Sequence, residues 1–228
     1  IIFFPYILTA QSQSGGIAPN LFNPTRLGQF LTMFAPQVLF AIGFVLLLWG
    51  GTKVQVGRLI VSLIMTLGLP MLLIGASSVI LNQRAAKGFV ERIEPLPAGV
   101  SSYMAIISER WTERPFTFLL VGLLLGLALA LIWQRVIPDA SSSKTEGSGT
   151  GEERGALSID TFVLFLVGIG LLYMLVPEVV FLRDVFGSRM NTIFKFYYQS
   201  WLLLGLAGAY LTIRVLSSTN LAARLVSA

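Results

Sequence analysis

Five stretches of this chain run for about twenty residues with no Lys, Arg, Asp or Glu in their middle thirds. About twenty apolar residues is the length at which a helix crosses the hydrocarbon core of a bilayer. The stretches run from about Phe30 to Trp49, Leu59 to Leu81, Phe116 to Val136, Thr161 to Val180 and Phe196 to Leu216. The expected fold class is therefore all-α: a polytopic transmembrane helix bundle, one domain over residues 1–228. Ile1–Leu8 reads as the end of a preceding span, so the chain is expected to be an internal piece of a larger protein.

Prolines punctuate the spans. Pro36 in the first turns of span one predicts a kink or a late start, and span two carries Pro70 in its middle. Pro115 opens span three in the favoured first-turn position, and Pro177 marks the end of span four. Gly122 and Gly126 form a GxxxG face in span three, suited to close packing against a neighbouring helix.

Composition settles what chemistry is excluded. Hydrophobic residues make up 55% of the chain and charged residues 12%, against about 45–50% and about 25% in soluble domains. A soluble globular enzyme and a disordered chain are both excluded. The chain has no Cys and no His, which removes disulfides, thiol catalysis, Ser–His–Asp catalysis and most zinc sites. Acid, base or metal-binding roles fall to the 11 carboxylates or to Lys, Tyr, Asn and Gln. The net charge of +5 points to anionic lipid headgroups and not to nucleic acid.

The spans put three loops on one face: Gln11–Gln29, Asn82–Arg114 and Phe181–Lys195. Within the second, Tyr103, Met104, Ile106, Ile107 and Trp111 share a helical face with Glu109, Arg110 and Glu113 elsewhere, the pattern of a helix lying on the membrane surface. Glu91, Glu94, Glu109 and Glu113 read as a solvated face among arginines. The opposite face carries the short turn with Lys53 and Arg58, the hydrophilic linker 138–155 and the tail. Lys and Arg number nine on the first face and seven on the second, too even a split to orient the chain. The working reading puts the first face on the extracytoplasmic side.

The segment Pro177–Trp201, PEVVFLRDVFGSRMNTIFKFYYQSW, crowds mixed polar types into one short connection. If the fifth helix starts near Asn191, then Asn191, Lys195 and Gln199 recur at i, i+4 and i+8 on one face, surrounded by Phe194, Tyr197, Tyr198 and Trp201. One reading is a pocket for an anionic or hydroxyl-rich group, with Arg183, Arg189 and Lys195 meeting phosphate and Asp184 or Glu178 serving as base or metal ligand. The other is an ordinary aromatic belt with a snorkelling lysine and an Arg183–Asp184 pair that orders the turn.

The string RDVFGSRMNTIFKFYYQSWLLL resembles the hallmark segment of the YYY family, polytopic membrane proteins of archaea and Chloroflexi with no assigned activity, and QSQSGGIAPNLFNPTRLGQF is similar to that family's preceding loop. The architecture in turn resembles C-type glycosyltransferases that use polyprenyl-phosphate sugars. On that resemblance the substrate-binding positions are Gln11, Gln13, Arg26, Arg183, Arg189, Asn191, Lys195, Tyr198 and Gln199, with Asp184 and Glu178 as catalytic carboxylates. The resemblance implies membrane lipid and a polyprenyl-phosphate-linked sugar as partners. It leaves open a divalent metal as cofactor, and the oligomeric state. Such enzymes carry an acidic motif in an upstream loop, absent from this chain. The rival readings are a transporter or flippase for an anionic or lipid-linked substrate, and a non-catalytic scaffold subunit. Polar residues crowded at one face, and not at mid-membrane, favour the enzyme.

Overall fold

The computed structural model describes residues 16–21, 23–82, 103–137, 158–183 and 189–217. Among these are five helices long and apolar enough to cross a membrane, and the chain is an all-α polytopic bundle. Helix α1 is Leu27–Gly50. The second span is composite: α2 (Val56–Leu63) runs through a π-helical turn, Ile64–Gly68, into α3 (Leu69–Asn82). Helix α4 is the short Tyr103–Glu113, followed by α5 (Phe116–Val136), α6 (Ile159–Val179) and α7 (Met190–Leu216). Two three-residue strands, β1 (Ile17–Pro19) and β2 (Val180–Leu182), pair antiparallel with Ala18 opposite Phe181.

Helix α5 packs against α1, α2 and α6, and α7 packs between α6 and α1. The core between them is filled by Phe30, Phe34, Phe44, Phe118, Leu164, Leu171, Met174 and Leu204. The second span lies at the periphery and leaves most of its apolar side chains facing outward. Lipid tails are as apolar as leucine, so helices associate through close packing and polar contacts. The glycines mark where: a Cβ on Gly122 would run into Leu67 Cδ2, and one on Gly126 would lie 2.7 Å from Leu63 Cδ2 and 2.9 Å from Thr66 Oγ1. The GxxxG face of α5 is thus spent on the second span of the same chain.

One expectation about proline needs correction. Helix α1 starts at Leu27 and continues through Pro36, so there is no late start. In the second span Pro70 has no N–H, and its ring crowds the carbonyl of Thr66 four residues back. The π-helical turn just before it widens the ladder and turns Thr66, 3% exposed, against α5. Helix α7 likewise begins six residues ahead of the apolar run, at Met190.

Candidate functional site

The site is built around the end of α6. Pro177 interrupts the helical ladder, and the last four carbonyls of any helix lack internal partners. Here each finds one. Val176 O accepts from the N–H of Val180. Pro177 O accepts from Asn20 Nδ2 at 2.9 Å and from Arg189 Nη1 at 3.2 Å. Glu178 O accepts from Arg110 Nη2, and Val179 O from Asn20 N at 2.8 Å. Two guanidiniums on a helix C-terminus also suit its negative dipole end. Asn20, Arg110 and Arg189 come from three separate connections, so this cap draws together all three loops assigned to the first face.

The Glu178 side chain fills the centre. It is fully buried. Its Oε1 accepts from Arg189 Nη1 at 3.0 Å and from the Thr25 hydroxyl, and its Oε2 from Thr25 N at 3.1 Å. Arg110 Nη2 stands 4.0 Å from Oε2. The Thr25 hydroxyl has one proton, which goes to Glu178, so it accepts from Arg189 Nη2 at 3.0 Å and from Tyr197 Oη at 3.2 Å. Thr117 Oγ1 donates to Thr25 O at 2.8 Å. Phe30 and Phe34 seal the inner side, the Phe34 ring meeting Tyr197 edge-on at 5.1 Å. A buried carboxylate this completely paired holds its neighbours in place, and its acceptor sites are already occupied.

The face of α7 that carries Lys195 is open. Because α7 starts at Met190, Asn191, Lys195 and Gln199 do share one side. Lys195 and Gln199 are exposed, and together with Tyr173, Phe194, Phe196 and Tyr198 they line a cleft of about 360 Å³. The exposed Phe194 and Tyr198 form a ridge between that cleft and a second one, about 430 Å³, between α1 and α7. The second cleft is lined further by Met33, Met190, Ile193 and Trp201 and is almost wholly apolar. A cation and an amide therefore sit beside lipid-facing apolar clefts.

The sequence-derived residues divide accordingly. Glu178 and Arg189 meet in the buried knot. Lys195, Tyr198 and Gln199 line the open cleft, with Asn191 one turn above them and half-buried. Arg183 is half-buried at the end of β2, its N–H donating to Gly16 O at 2.9 Å. Arg26 lines a different cavity, with Arg114. Gln11, Gln13 and Asp184 lie outside the described residues, as do Glu91 and Glu94. Among the described residues no three carboxylates gather as a metal site would require.

Asn20, Thr25 and Arg110 did not emerge from the sequence. Arg110 requires a correction: α4 does not turn its charges uniformly outward, because Arg110 is 4% exposed beside the buried Ile107. It donates to Asn20 O and Glu178 O and lies 5.7 Å from the Trp111 ring. The signal was present in the spacing, since Arg110 stands at i+3 from Ile107 and so shares its face.

Residues 1–204 match the model of a family described as uncharacterized membrane protein DUF2298. The chain belongs to that family and is an integral membrane protein. No curated protein and no solved structure matches it.

Proposed function

We propose that the protein is a glycosyltransferase that draws a polyprenyl-phosphate-linked sugar from the membrane, working on the extracytoplasmic side of a prokaryotic plasma membrane. The observation that carries this reading is Lys195 beside Gln199 on the wall of a cleft that adjoins an apolar, lipid-facing one. A polyprenyl-phosphate-linked sugar has that same division, an anionic head on a long apolar chain. Among the described residues no carboxylate pairs with Lys195, so its charge is available to the head.

In this reading the acceptor hydroxyl adds to the anomeric carbon as the bond from that carbon to the phosphate oxygen breaks. The bonding pair leaves with the phosphate, which Arg183 and Lys195 hold as charge accumulates. The hydroxyl proton passes to Asp184. Glu178 is a positioning residue that fixes Arg189, and Asn191, Tyr198, Gln199, Gln11 and Gln13 contact the sugar or the phosphate. Charged groups gather at the ends of the bundle and not at its midplane, which favours chemistry at the surface over passage through the membrane.

The test is binding of a polyprenyl phosphate to the full chain in nanodiscs, wild type against Lys195→Gln, together with transfer of radiolabelled sugar from a polyprenyl-phosphate donor. The expected result is affinity lower by about tenfold, the loss of one charge-assisted contact. Wild-type affinity in a folded Lys195→Gln variant overturns the phosphate role. Binding that persists without transfer to any acceptor turns the reading toward a carrier for the same lipid.

A further inference from the structure

A second basic cleft opens at the same end of the bundle and shares no lining residue with the first. Arg26, at the foot of α1, and Arg114, at the corner between α4 and α5, line one cavity of about 260 Å³ with Leu27, Glu113 and Phe116. Two guanidiniums facing one small space repel each other unless an anion lies between them. Arg110 and Arg189, their neighbours in sequence or space, have Glu178. Arg26 and Arg114 have no such partner: neither forms a hydrogen bond through its side chain or an ion pair among the described residues, and Glu113, though it lines the same cavity, pairs with neither. With the Glu113 carboxylate on the same lining, the two arginines leave the cavity a net positive charge.

The geometry points to a binding site for a phosphate-class anion, gripped between Arg26 and Arg114. Guanidinium suits that ligand because its planar fork can donate two parallel hydrogen bonds to phosphate oxygens. Leu27 and Phe116 are the first residues of α1 and α5, and neither helix has an acidic residue in its first turn or a capping side chain, so the backbone adds positive potential to what the arginines supply. The exposed Phe116 at the rim sets the cleft at the boundary between apolar and polar layers, where both a phospholipid headgroup and a dissolved phosphate can reach it. This site stands whether or not the glycosyltransferase reading does.

The experiment uses the full chain released from mixed micelles of phosphatidylglycerol and phosphatidylcholine, with retained lipid counted by native mass spectrometry and inorganic phosphate titrated as competitor. Arg26→Gln/Arg114→Gln is expected to lower phosphatidylglycerol retention by about tenfold, while Lys53→Gln at the opposite end leaves it unchanged. Displacement of the lipid by millimolar inorganic phosphate assigns the site to free phosphate. Retention in its presence assigns it to a lipid headgroup. Wild-type retention by a double variant with a normal unfolding midpoint overturns the proposal. If the double variant fails to fold, Arg26→Gln and Arg114→Gln are read singly, each expected to weaken retention at least threefold, and wild-type behaviour in both overturns it.

Discussion

Arg189 reaches back across the connection between the fourth and fifth spans to place Nη1 3.0 Å from Oε1 of Glu178, eleven residues earlier in the chain. The same guanidinium caps the Pro177 carbonyl, so one side chain ties the start of α7 to both the backbone and the carboxylate at the end of α6. Arg110 does the equivalent for α4, and Thr25 for the approach to α1. Three loops that are far apart in sequence are thereby fixed to a single helix end.

Removing the negative charge at the centre should be severe. Glu178→Gln keeps the shape but leaves Arg189 and Arg110 without their counter-charge, and breaking a buried pair from one side costs about 3–5 kcal/mol. We expect a large fall in the thermal unfolding midpoint of the purified protein in detergent. Glu178→Gln/Arg189→Gln should lose less than the sum of the two single variants, because they share one interaction. Strict additivity would mean that the pair is incidental.

The ion pair at the other end of the bundle should behave differently. Asp160 accepts from Arg214 and, at 2.7 Å, from Tyr210 Oη, but the Arg214 and Asp160 side chains are 38% and 20% exposed. Partly solvated pairs contribute about 0–1 kcal/mol. Asp160→Asn is accordingly expected to move the unfolding midpoint only slightly, and less at high salt. A loss matching that of Glu178→Gln would contradict the account given for both.

The contrast also shows what is legible in a sequence of this kind. Uninterrupted apolar runs locate spans well: the apolar run Phe116–Val136 has the same bounds as helix α5, because inside a membrane composition and helicity coincide. Hydropathy fails where a helix continues past the apolar layer, which is why α7 gained Asn191 and Lys195 at its start. The density of polar types in Pro177–Trp201 drew attention to Glu178 and Arg189. Nothing periodic, however, links Glu178 to Thr25 across 153 residues. Asn20 and Thr25 are ordinary loop residues by type, and Arg110 looked like one charge of a surface helix. Their importance comes from the orphan carbonyls of α6, a demand visible only once the chain has folded.

Close packing of α5 on the second span gives a third prediction. A Cβ at Gly126 would meet Leu63 Cδ2, Thr66 Oγ1 and, at 3.5 Å, the Leu63 backbone, so Gly126→Val should cost about 1–3 kcal/mol by overpacking. Gly205→Ala, where nothing lies within 4 Å, should be neutral or stabilising, since alanine favours the helix by about 1 kcal/mol. Thermal unfolding of the two variants side by side checks the assignment. Equal behaviour would mean that α5 does not meet the second span at that glycine.

The two ends of the bundle can be assigned to sides of the membrane because the chain contains no native Cys, so each engineered thiol reports alone. Gly51 is exposed in the turn after α1, and Thr112 is exposed on α4. One full span, Val56–Ser77, separates them, which puts them on opposite sides. In intact cells an impermeant maleimide should therefore label only one of Gly51→Cys and Thr112→Cys, the other reacting after permeabilisation. With the two basic clefts outside, the labelled variant is Thr112→Cys. Labelling of Gly51→Cys alone would keep the bundle and invert it, turning both clefts toward the cytoplasm and toward cytoplasmic phosphates. Labelling of both in intact cells would remove the second span from the membrane, and with it the reason for the close contact between Thr66 and Gly126.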